Sequence, residues 1–346
     1  MIEKYFYILF VPILLIVNFL LIKKNILLNF TGQKHQVYTN KNKVPLSGGI
    51  ILGIYFVFDH NNVDLNLIYF LLIFLIIGLL ADLNIIKSPT FRFFIQIIFL
   101  VIFISHLDLY VYDIRINVLN LFLENYYFNI FFVLFCILVL LNGSNFIDGN
   151  NCLSIGYFLI IFLILEILIS KNIIFYEYGT FQTILIILSI LFIFNFNNKL
   201  YLGDGGVYLL SIFVCFNLIT IYNFNNSISP YFIVNLLWYP AFEILFSLIR
   251  KTKNKLSPMS PDTMHLHQLI FYFFSKKLKV EKKFVNSLTG ILINIYHIII
   301  FYMCSINIYN TKIQILLLLL SVSSYLFIYM FFLRFKKSFK NKKFNH

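Results

Sequence analysis

The sequence predicts an all-α, polytopic integral membrane protein with about eleven transmembrane helices. Three observations carry that reading. Of 346 residues, 60% are apolar and only 12% are charged. Mean hydropathy is +0.87. Runs of about 17 or more apolar residues recur along the whole chain, with short polar breaks between them. Residues 1–346 therefore form a single transmembrane domain with no room for a sizeable soluble unit. Cys136, Cys152, Cys215 and Cys304 are scattered with no CxxC pair, which excludes the usual disulfide framework and the usual zinc site.

The apolar runs place helices at 5–22, 45–58, 65–81, 91–106, 127–142, 153–170, 180–196, 205–223, 230–250, 285–307 and 312–333. The first has no small-residue cleavage site after it, so it reads as a retained span and not a signal peptide. The second is short, begins at Pro45 and carries Gly48, Gly49 and Gly53. Ser88 followed by Pro89 is an N-cap and first-turn pair, so the fourth helix starts there. The mixed aromatic stretch 107–126 reads as interfacial. Beyond His267, up to the tenth helix, the pattern assigns no element.

Charge orients this array. With eleven spans, the loops after odd-numbered helices share a side with the C-terminal tail. All of the 27 Lys and Arg residues fall on that side except Lys4, Arg115, Lys171 and Lys312. The positive-inside rule then puts the N-terminus outside and the C-terminus in the cytoplasm. The net charge of +13 reports this topology, so no nucleic-acid partner is expected.

The acidic residues mark a site. On the cytoplasmic side Asp82, Asp148, Asp204 and Asp262 stand in four different loops, each at or near the end of an apolar run. The lysine-rich loop 23–43 and the tail hold no acid at all. Carboxylates gathered at helix ends suit a divalent cation that brings anionic ligands of its own, such as Mg²⁺ with phosphate oxygens. Each taken alone is equally a helix cap.

The loops around them run 31–49, 78–92, 142–153, 201–206 and 250–270. In the first, Lys43 precedes Pro45 and the Gly48–Gly49 helix entry, where bare N–H groups could steady a phosphate. In the second, Arg92 is one of few arginines in a lysine-rich chain. The third, Asn142-Gly-Ser-Asn-Phe-Ile-Asp-Gly-Asn-Asn-Cys-Leu153, spaces Asn145 and Asp148 three apart, on one face of a helical turn. The fourth, Tyr201-Leu-Gly-Asp-Gly-Gly206, flanks Asp204 with glycines that permit close backbone approach. The fifth carries His265 and His267, two apart, which could meet a phosphate or a metal from a turn.

These loops resemble those of the polyprenyl-phosphate N-acetylhexosamine-1-phosphate transferase superfamily, glycosyltransferase family 4. Its motifs are GLxDD…SPxxR, NxxNxxDGxDGL, an aromatic-x-GDSG and a Pro-Asp-rich HxHH, and their order, spacing and side agree over about residues 30–270. The form around His265 is similar to the branch that transfers GlcNAc-1-phosphate. The chain departs from the pattern at Ala81 for the first Asp, Asn151 for an Asp, Cys152 for a Gly, Gly205 for the Ser, Thr263 for an Arg and Gln268 for the last His.

The resemblance implies a Mg²⁺-dependent transfer, with Mn²⁺ as an alternate ion, of N-acetylhexosamine-1-phosphate from a UDP-sugar to polyprenyl phosphate, releasing UMP. The setting is a bacterial-type inner membrane, multi-pass, with the active site facing the cytoplasm. Asp82, Asp148, His265 and His267 are the expected catalytic residues and Asp204 the metal ligand. Lys43, Arg92, Asn145, Asn151 and Tyr201 are expected to bind substrate, Tyr201 by stacking on uracil. A homodimer is compatible with this. Two other readings stay open: a catalytically degenerate member that binds polyprenyl lipid or partners an active enzyme, and a transporter using the intramembrane Glu166 and Glu243.

Overall fold

The computed structural model describes residues 9–29, 43–59, 63–257 and 263–344. Asp262 and most of the 31–49 loop lie outside the described residues. Among those described there are thirteen helices and no strand. They are α1 Phe10–Lys24, α2 Gly48–Phe58, α3 Leu65–Asp82, α4 Pro89–His106, α5 Asn117–Leu123, α6 Tyr126–Ile147, α7 Leu153–Ser170, α8 Gln182–Phe196, α9 Gly203–Phe224, α10 Pro230–Lys253, α11 Leu266–Lys277, α12 Lys282–Ile306 and α13 Thr311–Phe344.

Every apolar run of the sequence carries a helix, and eight of these helices are long and apolar enough to cross a membrane. The 11-residue α2 and the 15-residue α8 are apolar but shorter. At 1.5 Å per residue they span roughly 16 and 22 Å, less than a hydrocarbon core of about 30 Å.

Three boundaries differ from the sequence pattern. Helix α6 does not stop at 142 but continues through Asn145 to Ile147, so the polar motif is half helical. A helix appears at α11, amphipathic and packed on α12 and α13, where the pattern assigned none. Helix α13 runs on into the basic tail. In each case tertiary contact or helix continuity outlasts the apolar signal.

Helix α9 is the centre of the bundle. It packs on α2, α3 and α6 and is buried almost throughout, as expected for a helix apolar on all sides. Glycines allow the close approach: a Cβ on Gly78 would fall 2.3 Å from Gly205 Cα, and one on Gly49 would fall 2.5 Å from the Gly206 nitrogen. Small residues at helix contacts replace the hydrophobic drive that lipid cannot supply. Helices α6 and α10 meet the same way, with Gly143 against the Pro240 carbonyl. The C-terminal ends of α3, α6 and α10 and the N-terminal ends of α4, α9 and α11 thereby come to one end of the bundle.

Candidate active site

At that end the turn Tyr201–Gly205 is the hub. The segment before α2 zips onto it: Tyr201 N–H donates to the Pro45 carbonyl (2.9 Å), and Gly48 and Gly49 donate to the Tyr201 and Leu202 carbonyls (3.0 Å each). Gly203 has φ +74°, a conformation that an L side chain adopts at a cost of about 1–2 kcal/mol. A Cβ there would also lie 2.8 Å from Asp82 Oδ2.

Asp82, the last residue of α3, caps α9 from outside. Its Oδ1 accepts the Asp204 N–H at 3.1 Å, and its Oδ2 accepts the Gly205 N–H at 3.3 Å. A carboxylate at a helix N-terminus meets unpaired N–H groups and the positive end of the helix dipole. Arg92 sits in the first turn of α4, which Ser88 caps by accepting the Phe91 N–H at 3.3 Å. It reaches Asp204, with Nη1 2.6 Å from Oδ2. Asn145, in the last turn of α6, lies beside the same carboxylate.

Asp148 follows α6 directly and faces the Gly203 amide. Burial, together with the Asp204 and Asp82 charges, raises its carboxyl well above the usual carboxylate range. The structure thus brings Asp82, Arg92, Asn145, Asp148 and Asp204 around one turn of backbone.

The histidine pair meets the end of α6 from the start of α11. His265 and His267 stack with planes 10° apart and centroids 5.7 Å apart, and the Phe146 ring lies 4.9 Å from His265. A Cβ on Gly149 would fall 3.0 Å from His267 Nε2. His267 is fully buried, with neither ring nitrogen hydrogen-bonded among the described residues. Burial pulls its pKa down to about 3, so near neutral pH the ring is uncharged. Gln268 has a positioning use: its Oε1 accepts the His265 N–H at 3.3 Å at the start of α11.

Of the remaining predicted residues, Lys43 and Asn151 lie away from the hub, and Tyr201, whose backbone forms it, turns its ring inward. Lys43 is exposed and donates to Asn25 Oδ1 at 2.6 Å. Asn151 is fully buried: its Nδ2 donates to Asn198 Oδ1 and Ser287 Oγ, and its Oδ1 accepts from Asn286. Tyr201 is buried as well, its hydroxyl donating to Asn198 Oδ1 at 2.9 Å. Asn151, Asn198 and Tyr201 therefore form a linked network, held by α12. Next to it Cys152, with φ +66°, performs the turn before α7, fixed by the Asn195 and Asn294 side chains.

Glu166 and Glu243 are both engaged by protein. Glu166 accepts the Phe181 N–H (2.7 Å) and the Gln182 side chain (3.0 Å) at the opposite end of the bundle. Glu243 holds the histidine turn. A further cation escaped the sequence reading: Lys251, in the last turn of α10, is buried with its ammonium 5.7 Å from the centre of the Phe146 ring. Composition offered no signal for it, because it stands in a run of positive-inside lysines.

Residues 65–222 match the family model for glycosyl transferase family 4. That match covers 158 of the 346 residues, so this stretch is similar to glycosyltransferase family 4. Among curated proteins there is no match. The similarity suggests sugar-1-phosphate transfer to polyprenyl phosphate as the class of activity. The matched stretch takes in Asp82, Arg92, Asn145, Asp148 and Asp204, and stops short of the histidine turn.

The donors suit a hard divalent cation in kind, since Mg²⁺ takes oxygen ligands and is commonly held by one or two carboxylates plus substrate phosphates. Among the described residues no three His, Cys, Asp or Glu side chains form a complete cage. Asp82 has both oxygens on backbone amides, and Asp204 keeps Oδ1 clear of Arg92.

Proposed function

We propose that this protein moves N-acetylhexosamine-1-phosphate, GlcNAc-1-phosphate by preference, from a UDP-sugar to polyprenyl phosphate and releases UMP. The observation that carries the reading is the convergence of Asp82, Arg92, Asn145, Asp148 and Asp204 on the Gly203 turn, with the stacked histidines beside them. By charge asymmetry this end faces the cytoplasm, where nucleotide sugars are available.

In the reaction an oxygen of the acceptor phosphate attacks the sugar-bearing phosphorus of the UDP-sugar. The new P–O bond forms in line with the bond to the UMP oxygen, which breaks. The acceptor has a second pKa of about 6, so near neutral pH it is already mostly dianionic. A protein base is therefore dispensable. That fits Ala81 at the first family aspartate, and Asp82 employed as a cap of α9.

A bound Mg²⁺, held by Asp204 together with diphosphate oxygens, would neutralise charge on the diphosphate. Arg92 fixes the Asp204 carboxylate and offers its other guanidinium N–H groups to a phosphate. Asn145 and Asp148 stand on the nucleotide-sugar side. His265 and His267 meet phosphate oxygens. For the acceptor chain there is an apolar cavity of about 220 Å³ behind Leu266, walled by Trp238, Ile270, Tyr296, Ile328 and Phe332.

Membranes containing the protein, given labelled UDP-GlcNAc and polyprenyl phosphate, should form a labelled lipid and UMP only with Mg²⁺ or Mn²⁺ present. Absence of lipid product with every UDP-N-acetylhexosamine overturns the proposal. Lipid binding retained under those conditions would favour a non-catalytic relative.

A further inference from the structure

Glu243 is fully buried in the middle of α10. A carboxylate within a membrane bundle is costly unless its acceptor sites are filled. Here three donors from two other elements fill them. His265 Nδ1 lies 2.8 Å from Oε1, the Leu266 N–H donates to the same oxygen at 3.2 Å, and the Tyr325 hydroxyl of α13 donates to Oε2 at 2.7 Å. One carboxylate therefore ties α10 to the first turn of α11 and to α13.

The consequence falls on one imidazole. A nitrogen at hydrogen-bond distance from a carboxylate oxygen carries the proton, and the other ring nitrogen is left to change state. The ring cannot turn away, because Phe146 lies against it and His267 stacks parallel to it. The Leu266 N–H on the same oxygen fixes the carboxylate as well. The charged and titratable groups around the ring are Glu243 and Tyr325 behind it, His267 beside it, and Lys251 across Phe146.

We propose that Glu243 is a positioning residue that holds His265 with its proton on Nδ1 and turns Nε2 toward the phosphates. What Nε2 meets rests on the transferase reading above. The tautomer does not.

The full-length protein, labelled with ¹⁵N-histidine and held in detergent, gives the test. Long-range ¹H–¹⁵N spectra should show His265, assigned by its loss in His265→Gln, with a protonated Nδ1 and, in the neutral ring, a bare Nε2. Glu243→Gln should mix the two tautomers and lower kcat roughly a hundredfold with KM for the UDP-sugar within about twofold. Glu243→Asp should recover part of kcat. A wild-type His265 protonated on Nε2 alone overturns the proposal, and that spectrum needs no variant to fold. An unchanged tautomer in Glu243→Gln overturns it too. The expected tautomers in a protein that makes no lipid product would leave the positioning intact and remove the transferase.

Discussion

The Asp82 carboxylate lies across the start of α9, its Oδ1 3.1 Å from the backbone nitrogen of Asp204. One acidic residue thus sets where another stands. The side chain of Asp204 then projects from a capped helix N-terminus toward Arg92, so the charge arrangement depends on α3 as well as on α9.

Asp82→Ala leaves two first-turn N–H groups of α9 without their acceptor. A loss of about 1–3 kcal/mol is expected, read as a lower thermal midpoint in detergent, with transfer reduced as Asp204 shifts. Asp82→Asn keeps one acceptor and should fall between. An Asp82→Ala protein as stable as the parent would separate Asp82 from the placement of α9.

Arg92→Ala frees the second Asp204 oxygen. Transfer should then half-saturate at lower Mg²⁺, while turnover drops roughly a hundredfold as a phosphate loses its guanidinium. Titration of product formation with Mg²⁺ reads both effects. Wild-type turnover with an unmoved Mg²⁺ midpoint would place Arg92 outside the reaction.

Asn151→Asp restores a family residue and should do harm. The amide donates to Asn198 and Ser287 in a fully buried network, and a carboxylate cannot donate. A loss of about 1–3 kcal/mol is expected, with no gain in transfer. Faster transfer at unchanged thermal stability would show that position 151 faces substrate.

His267 sets an acid limb. Its pKa is about 3 in the folded chain against about 6.5 when unfolded, so the unfolded chain binds the extra proton between those values. Its contribution is therefore complete above about 6.5 and is lost as pH falls toward about 3, by up to roughly 1.4 kcal/mol per pH unit. His267→Phe should flatten that limb in thermal melts from pH 6.5 to 4. An identical slope in the variant would count against a buried neutral ring.

Glu166→Gln removes charge at the far end of the bundle, where Glu166 accepts the Phe181 N–H. Transfer should be unchanged and the thermal midpoint slightly lower. Transport activity that depended on Glu166 would revive a different reading of the chain.

Much of the site was visible as residue types at spacings. Asp82, Arg92, Asn145, Asp148 and Asp204 sit at ends of apolar runs, and the helix ends bring them together. Asn151 and Tyr201 looked alike in sequence terms but join a buried amide network, because α12 supplies Asn286 and Ser287 from more than 130 residues away. Lys43 turned to Asn25. A linear motif does not say which face of a turn becomes solvent and which becomes core.

The sequence by itself determined the all-helical membrane character and where each apolar run forms a helix, since both follow from runs of apolar residues and local caps such as Ser88. Only the tertiary structure decided that Asp82 caps α9, that Glu243 bonds to His265, Leu266 and Tyr325, and that α11 exists at all. Those are contacts between segments far apart in the chain. Their energies come from filling buried donors and acceptors across helices, which neither hydropathy nor spacing records.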